Sequence, residues 1–312
     1  MNKESKIYVA GHTGMVGSAL VRCLNRNGYQ NIIYKTHRQL DLTNQSDVDE
    51  FFKAENPEYV FTAAAKVGGI YANNTYPADF IMENMLIECN IINSSYKYNV
   101  KKLLFLGSSC IYPKTCSQPI KEDYLLTGSL EPTNEAYALA KISGIKMCQA
   151  FNKQYATRFI SAMPASLYGI NDRFDNFNAH VIPSMLIKFH KAKVDNSPTV
   201  ELWGTGTPLR EFLYVDDMAE ACLLLMLNYE GSEFINIGSG NEISIKELAE
   251  TIKKVVGYEG SIVFDSTKPD GTPRRVLDNS KIEATDWKPQ VGIEEGLRRE
   301  YEYYLNCVVA EP

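Results

Sequence analysis

The order of hydrophobic and polar positions predicts alternating strands and amphipathic helices along the first half of the chain. Short apolar runs are typical of buried strands, and apolar residues three and four positions apart are typical of helices that cover a sheet. The strands are predicted at 6–10, 31–34, 59–63, 102–107 and 159–163, and the helices at 15–25, 46–55, 77–98 and 136–155. This alternation predicts an α/β fold with a Rossmann-type, doubly wound parallel sheet.

The pattern becomes less regular after Tyr168. Loop-forming residues predict a loop at 267–275, a strand is predicted at 199–203, and helices are predicted at 183–192, 215–226 and 245–255. We therefore expect a nucleotide-binding domain over residues 1–168, with segments around 210–242 returning to it. Residues 169–312 are then expected to form a smaller α/β domain, mainly for substrate binding.

Composition narrows the class of protein. The 312 residues are 45% hydrophobic and 22% charged, with a formal charge of −6, which is ordinary for a globular protein and argues against nucleic-acid binding. No secretory signal is visible, and no apolar run approaches the roughly 18 residues that would predict a membrane span. The seven cysteines include no C-x-x-C pair, so neither a disulfide framework nor a metal site is predicted. Reduced thiols in a cytoplasmic protein are expected.

A glycine-rich turn, Gly11-His-Thr-Gly14-Met-Val-Gly17, lies between the first predicted strand and helix. Backbone N–H groups there can approach a pyrophosphate, although the spacing differs from the G-x-G-x-x-G of the dehydrogenase fingerprint. The second strand ends in Lys35-Thr-His-Arg38, with no carboxylate before Asp41 to repel a 2′-phosphate. These features predict an NADP site, with a solvated loop as the alternative for the two cations.

Three further residues predict a catalytic site. Tyr137 and Lys141 are four positions apart, so a helix presents them on one face. A lysine ammonium beside a tyrosine hydroxyl favours the phenolate and lowers its pKa, which suits proton transfer near neutral pH. Ser108 is predicted at the carboxyl end of the fourth strand, the edge at which open α/β sheets bind ligands.

The glycine turn, Ser108 and the Tyr–Lys pair together resemble the extended short-chain dehydrogenase/reductase family. More specific segments are similar to the GDP-L-fucose synthase branch of that family, and they extend from residue 6 to about residue 304. The matching segments are 63–70, 73–80, 107–113, 131–135, 180–183, 203–212 and 268–274.

The resemblance implies a bifunctional enzyme that inverts C3 and C5 of GDP-4-keto-6-deoxy-D-mannose and then reduces C4 with NADPH, giving GDP-L-fucose. It implies that Cys110 is the base and His180 the acid. Ser108 and Tyr137 would hydrogen-bond the C4 oxygen, and Lys141 would tune Tyr137 and hold the nicotinamide ribose. From the residues alone, Cys110 also fits a small buried hydrophobe and His180 a cap or loop residue.

The resemblance also implies which residues bind the cofactor and the substrate. The residues implied for NADP are Gly11, His12, Thr13, Gly14, Met15, Val16, Gly17, Arg38, Leu106, Gly107, Ser108, Ser109, Tyr137, Lys141, Pro164, Ala165, Ser166, Leu167 and His180. The residues implied for the nucleotide sugar are Lys188, Trp203, Arg210 and Asp270. A surface cation and a core aromatic are the alternatives for Lys188 and Trp203.

Cations are needed for the substrate diphosphate, and arginine suits bidentate phosphate contact. Besides Lys188 and Arg210, the loop with Lys268, Arg274 and Arg275 supplies positive charge. The resemblance further implies a homodimer joined through the helices at 77–98 and 136–155.

Two positions depart from the family pattern. Bacterial relatives often have an arginine where Thr13 stands, and that arginine helps hold the 2′-phosphate. Its absence leaves this task to Lys35, His37 and Arg38. Ala165-Ser166 stands where Thr-Asn is common, which leaves the exact substrate open.

Three rival functions remain. A GDP-L-colitose synthase would use the same acid, base and reductant on a 3,6-dideoxy sugar. A sugar-nucleotide dehydratase or 4-epimerase is disfavoured because residues 109–111 supply no carboxylate for eliminating water. A non-catalytic NADP-binding sensor would have no need of the Tyr137–Lys141 pair.

Overall fold

A parallel sheet lies at the centre of the protein. The computed structural model describes residues 1–175, 179–268 and 270–310. In chain order its strands are β1 (Ile7–Ala10), β2 (Ile32–Ile33), β3 (Tyr59–Thr62), β4 (Lys102–Leu106), β5 (Phe159–Pro164), β6 (Ser166–Tyr168), β7 (Thr199–Trp203), β8 (Leu209–Tyr214), β9 (Ile235–Ile237), β10 (Glu242–Ser244), β11 (Ser261–Asp265) and β12 (Arg274–Arg275). The central sheet has the order β2-β1-β3-β4-β5-β9, with parallel pairing throughout.

The structure describes ten α-helices, and some of them cover this sheet in two groups. In chain order they are α1 (Met15–Arg26), α2 (Gln45–Glu55), α3 (Ile70–Thr75), α4 (Pro77–Lys97), α5 (Glu135–Tyr155), α6 (Val181–Val194), α7 (Val215–Asn228), α8 (Ile245–Val256), α9 (Ser280–Glu283) and α10 (Ile293–Tyr303), which continues as a π-helical segment over Tyr304–Val309. Helices α1 and α7 pack together, and α4 packs against both α2 and α5. The predicted doubly wound α/β fold is confirmed.

The strand order positions the ligand site. Strand β1 has β2 on one side and β3 on the other, so the chain changes direction across the sheet at this point. In open parallel sheets, ligands bind beside such a switch, at the carboxyl ends of the strands. The glycine turn after β1 and Ser108 after β4 both lie at this edge.

The second half of the chain builds a smaller group of strands. Strand β8 pairs with β6, β10 and β12, and β7 pairs with β11. A separate hydrophobic core lies between these strands and α6, α8 and α10, whereas α7 and β9 join the core of the central sheet. The domain boundary near residue 168 stays a prediction.

Local signals fix several helix ends. Ser244 and Glu247 form a reciprocal capping box at the start of α8, and Gly257 ends that helix with a φ of 70°. The Asn44 side chain accepts hydrogen bonds from the N–H groups of Ser46 and Asp47, the second and third residues of α2. These ends lie within one residue of the predicted bounds because they depend on residues that are adjacent in sequence.

Several elements differ from the predictions. The second strand is shorter than predicted, α3 and strand β11 were not predicted, and β12 lies inside the predicted loop at 267–275. Within that loop, Pro269 lies outside the described residues. Strand β8 was also missed, because Glu211 interrupts its hydrophobic pattern. The Glu211 carboxylate is nevertheless buried, where it accepts hydrogen bonds from the N–H groups of Leu277 and Gly240.

Candidate active site

The glycine turn is a tight backbone cradle at the start of α1. Gly11 has a φ of +82°, and a Cβ there would lie 2.7 Å from the backbone nitrogen of Ala64 on the neighbouring segment. A Cβ on Gly17 would lie 2.0 Å from the Gly11 carbonyl oxygen. Gly14 begins α1 without a side-chain cap. Unpaired N–H groups at this helix end, with no Cβ in the way, fit a pyrophosphate.

The first turn of α1 and the end of β2 carry the remaining predicted groups of this part of the site. The His12 ring stacks on Tyr34 with centroids 4.3 Å apart, and its buried Nδ1 has no hydrogen-bond partner. Thr13 and Arg38 are exposed, while Met15 and Val16 are half-buried at the start of α1. An aromatic platform with exposed cations beyond it suits the adenosine and 2′-phosphate end of a dinucleotide.

A short 3₁₀ turn over Ser109–Ile111 presents Cys110 at the end of β4. The Ser108 hydroxyl accepts a hydrogen bond from the Cys110 N–H at 3.4 Å. Leu106 ends β4, and a Cβ on Gly107 would lie 2.3 Å from the Met163 sulfur, so glycine allows close packing against β5. Cys110 is thus held on a rigid turn at the ligand-binding edge.

Tyr137 and Lys141 lie on α5, as predicted, but the lysine is paired with a residue that the sequence did not single out. The Lys141 Nζ lies 3.1 Å from Oε1 of Glu88 on α4, and the two side chains are 2% and 1% exposed. The ammonium also lies over the rings of Phe105 and Tyr137, at 4.7 and 5.8 Å from their centroids. A buried carboxylate and ammonium stabilise each other's charge.

The expectation that Lys141 lowers the pKa of Tyr137 is wrong for this structure. Burial raises the pKa of Tyr137 well above its usual value, and nearby Cys110 and Glu88 raise it further. The physical reason is that the lysine charge is directed to Glu88, which offsets its field at the phenol. Tyr137 is therefore a neutral hydroxyl, suited to donating a proton.

The pKa of Cys110 is also raised by burial of its thiol. Several contributions act in the opposite direction, led by a hydrogen bond with the Ser108 hydroxyl and then by the positive charges of Arg275 and Lys141. The sequence predicted a thiolate supported by a nearby cation. The structure supplies the cations, but burial outweighs them.

His180 lies immediately before α6 and does not cap this helix with its side chain. His180 is exposed at the surface, but partial desolvation by neighbouring groups lowers its pKa, and the Arg173 charge lowers it further. Among the described hydrogen bonds and ion pairs, none joins His180 to Cys110 or Tyr137.

The predicted cofactor segment after β5 lies at the same sheet edge. Pro164 ends β5, and the buried Ala165 donates its N–H to the Ile237 carbonyl oxygen at 2.9 Å. Ser166 and Leu167 continue in β6, where the Ser166 side chain is exposed.

The four predicted substrate residues lie around β7, β8 and the loop before β12. Asp270 accepts hydrogen bonds from the N–H and hydroxyl of Thr205 at 2.9 and 2.7 Å. Arg210 on β8 donates to the Leu209 carbonyl. Lys188 on α6 donates to the Glu201 carbonyl at 3.4 Å. Trp203 is 65% exposed, which excludes the alternative of a core aromatic.

The other cations of the predicted diphosphate cluster have different partners. The Lys268 ammonium lies 5.8 Å from the centroid of the Trp203 ring. Arg274 donates from Nε and Nη2 to the Glu242 carboxylate. Arg275 donates to the Ser109 carbonyl at 2.6 Å. Arg274 and Arg275 are therefore engaged within the protein.

Among the described residues, no group of three or more His, Cys, Asp or Glu side chains could hold a metal ion. No helix in the same residues is long and apolar enough to cross a membrane. Sequence reasoning missed Glu88 as the partner of Lys141, because no local pattern links a residue of α4 to one of α5.

Comparison with known proteins agrees with this arrangement. Residues 7–238 match the NAD dependent epimerase/dehydratase family. The chain is 58% identical over 309 residues to putative GDP-L-fucose synthase 2 of Arabidopsis thaliana, covering 99% of this chain and 94% of the relative. It is 50% identical over 314 residues to GDP-L-fucose synthase of Escherichia coli, covering 98% of each. GDP-L-colitose synthase of Yersinia pseudotuberculosis is 37% identical over 303 residues, covering 96% and 98%.

A solved structure extends the likeness to the whole fold. A GDP-L-fucose synthetase from Naegleria fowleri bound to NADP superposes with a TM-score of 0.91 at 27% identity, covering 98% of this chain and 95% of that one. The chain therefore belongs to the NAD dependent epimerase/dehydratase family of extended short-chain dehydrogenase/reductases, and within it to the GDP-L-fucose synthases.

Proposed function

We propose that this protein is a 3,5-epimerase and NADPH-dependent 4-reductase that converts GDP-4-keto-6-deoxy-D-mannose to GDP-L-fucose. The observation that carries the proposal is that Cys110, Tyr137 and Lys141 converge at the carboxyl end of β4. A thiol base next to a phenol acid serves inversion beside a ketone, whereas reduction alone needs no such base. The family membership supports the same assignment.

The residues present fit a bound NADP. The Gly11–Gly17 cradle and the N-terminus of α1 would hold the pyrophosphate, because no side chain blocks them. Lys35, His37 and Arg38 would hold the 2′-phosphate in place of the arginine that Thr13 replaces. Lys141, the segments 106–109 and 164–167, and His180 would hold the nicotinamide half. When bound, NADPH supplies the hydride that reduces C4.

Inversion requires a base and an acid on opposite faces of the sugar ring. We assign Cys110 as the base: the fraction of Cys110 that is present as thiolate takes a proton from C3 or C5, an S–H bond forms, and the C–H electron pair moves to the C4 oxygen as an enolate. Ser108 and Tyr137 donate hydrogen bonds to that oxygen and stabilise its charge. His180, in its protonated form, donates a different proton to the opposite face, which inverts the carbon and leaves the imidazole neutral. Proton exchange with solvent then restores the thiolate and the imidazolium before the second carbon is inverted.

Reduction then needs a proton donor at the same oxygen. Tyr137 gives its proton to the C4 alkoxide, and its raised pKa keeps the hydroxyl protonated for that step. Lys188, Trp203, Arg210 and Asp270 would bind the nucleotide and diphosphate. The Ser166 hydroxyl stays exposed at this edge and is available to a polar group of the sugar or the cofactor.

The first test is turnover with GDP-4-keto-6-deoxy-D-mannose and NADPH, followed by nicotinamide absorbance and by NMR of the product. We expect GDP-L-fucose from the wild type. Cys110→Ser should yield a sugar reduced at C4 but not inverted, and Cys116→Ser, which changes a half-buried thiol six positions away, should behave as the wild type. A reduced, uninverted product from the wild type would contradict the epimerase.

The same assay distinguishes the 6-deoxy substrate from the rival 3,6-dideoxy substrate. Turnover of the 3,6-dideoxy keto-sugar with none of the 6-deoxy substrate would assign colitose chemistry. The greater identity to fucose synthases, 58% and 50% against 37%, supports the 6-deoxy substrate.

We also propose a homodimer joined through α4 and α5, which pack side by side and carry exposed apolar side chains. These are Met82, Leu86, Tyr96, Leu139 and Tyr155. Burial of such a surface in a second copy is the usual solution for a patch of this kind. A cytoplasmic location is proposed on the seven free thiols, which suit a reducing compartment.

A further inference from the structure

Arg275 reaches from the second half of the chain to the turn that carries Cys110. It lies on β12, where it pairs with Arg210 of β8. Its Nη2 donates to the carbonyl oxygen of Ser109 at 2.6 Å, across a separation of 166 residues. Its Nε is buried without a hydrogen-bond partner. The guanidinium is therefore placed at the catalytic turn by tertiary structure.

Neighbouring backbone bonds hold Arg275 in this place. The Ile120 N–H donates to the Val276 carbonyl and the Asp278 N–H donates to the Ile120 carbonyl, each at 2.8 Å. The Gln118 side chain accepts from the Val276 N–H at 2.9 Å. The segment after Cys110 and the segment after β12 thus form one bonded unit, so the guanidinium and the turn keep a fixed relation.

The charges around Cys110 are unequal in effect. Lys141 is paired with the Glu88 carboxylate, so much of its field is offset. Arg275 instead donates to a neutral carbonyl, and the ion pairs among the described residues do not include it. Tyr137 is the other titratable group against Cys110, and burial keeps it neutral. Arg275 is accordingly the least compensated cation acting on the buried thiol.

We propose that Arg275 is a positioning residue for Cys110, which fixes the Ser109–Ile111 turn and stabilises the thiolate that takes the proton from C3 and C5. The proposal rests on the proposed function, since it concerns the base of that reaction. A cation close to a buried thiolate offsets part of the cost of removing the negative charge from water. Its role is in inversion, and hydride delivery to C4 does not require it.

The test compares Arg275→Gln and Arg275→Lys with the wild type, using Arg158→Gln as the control. Arg158 is an exposed arginine just before β5, at the opposite edge of the sheet, and is paired with Glu230. The first readout is incorporation of solvent deuterium at C3 and C5 in D2O with NADP⁺, which reports proton abstraction without reduction. The second is the pH midpoint of Cys110 alkylation by iodoacetamide, measured on the peptide by mass spectrometry.

We expect Arg275→Gln to slow deuterium incorporation at least about tenfold and to move the alkylation midpoint up by about one pH unit. Arg275→Lys should recover most of the midpoint because it keeps the charge, and Arg158→Gln should match the wild type. Wild-type exchange and midpoint in Arg275→Gln would overturn the proposal. So would a raised KM with unchanged maximal exchange, which would make Arg275 a substrate-binding cation.

The two proposals fail in different ways. If the wild type incorporates no deuterium, the proposed function fails, but the alkylation midpoint still tests Arg275 without substrate. If Arg275→Gln does not fold, Arg275→Lys carries the test. Slowed exchange with a wild-type alkylation midpoint would show that the geometry of the guanidinium matters. Wild-type values of both exchange and midpoint would show that Arg275 acts through its charge alone. A shifted midpoint in Arg158→Gln would overturn the local assignment.

Discussion

Glu88 carries a carboxylate into the interior of the protein, where its described charge partner is Lys141. Both oxygens lack any other hydrogen-bond partner, and burial raises the pKa of Glu88. The ammonium of Lys141 opposes that shift. Removing either group leaves the other buried without a compensating charge, so substitution of either residue is expected to destabilise the fold.

We predict that Glu88→Ala lowers the free energy of unfolding by about 3–5 kcal/mol, because Lys141 is left as an uncompensated buried charge. Urea unfolding followed by circular dichroism measures the change. Glu83→Ala is the control, since Glu83 lies on the same helix at the surface, paired with Lys66. A loss below about 1 kcal/mol, as for a surface pair, would contradict a structural role for the buried pair.

A second buried carboxyl pair, Asp172 and Glu300, gives a prediction about pH. Burial raises the pKa of Asp172 to about 7, and it raises that of Glu300 well above normal, with the Asp172 charge adding to it. The folded state therefore binds more protons than the unfolded state. The stability from Asp172 is fully present below about pH 4 and is lost as pH rises towards 7.

We predict that Asp172→Asn stabilises the protein more at pH 8 than at pH 5. The substitution removes a carboxyl group that is charged at the higher pH although its burial disfavours the charged form. Melting temperatures of both proteins across pH 5–8 measure this. Asp175→Asn is the control, as Asp175 is more exposed and lies beside Arg173. Parallel curves for wild type and Asp172→Asn would contradict the raised pKa.

At the scale of elements, the β1–α1 turn depends on how closely the chain approaches itself. Gly14 has an ordinary φ of −81°. A Cβ on Gly14 would lie 3.5 Å from the Gly11 carbonyl oxygen, whereas a Cβ on Gly17 would lie only 2.0 Å from that oxygen. The two glycines therefore have different physical reasons to be present. Gly17 is required for packing, and Gly14 keeps the space in front of the helix N-terminus free.

We predict that Gly17→Ala destabilises the protein by at least about 1–3 kcal/mol, because the added methyl must displace the Gly11 carbonyl. Gly14→Ala should keep the stability of the wild type and lose affinity for NADPH instead. Thermal melting without cofactor and NADPH titration by fluorescence separate the two effects. Equal stability of both variants would contradict the packing argument.

At the scale of the whole molecule, the two sides of the α4–α5 pair differ in character. Its inner side carries Glu88, Tyr137 and Lys141, while its outer side exposes apolar residues such as Leu86. Assembly through the outer side would therefore support the helices that position the catalytic groups.

We predict that Leu86→Glu converts the proposed homodimer to a monomer, because it places a charge in the apolar contact. Light scattering after size-exclusion chromatography gives the mass. Leu227→Glu is the matched control on α7, since the two leucines are 40% and 38% exposed. A wild-type mass that is already monomeric, or a dimer that survives Leu86→Glu, would contradict this interface.

The sequence alone determined the features that depend on residues close together in the chain. The alternation of strands and helices, the glycine turn and the spacing of Tyr137 and Lys141 are all local patterns, and a short range of residues carries each of them. The resemblance to a known family added the expected roles of Cys110 and His180. Thus the fold class and most of the candidate site could be predicted before any contact was known.

Only the tertiary structure decided which distant groups meet. Glu88 and Lys141 come from different helices, Arg275 reaches a turn 166 residues earlier, and Glu211 is buried in a strand because distant N–H groups satisfy it. No local period encodes such pairings. The pKa values of Cys110 and Tyr137 depend on these neighbours and on burial, so the sequence could name both residues but not their protonation.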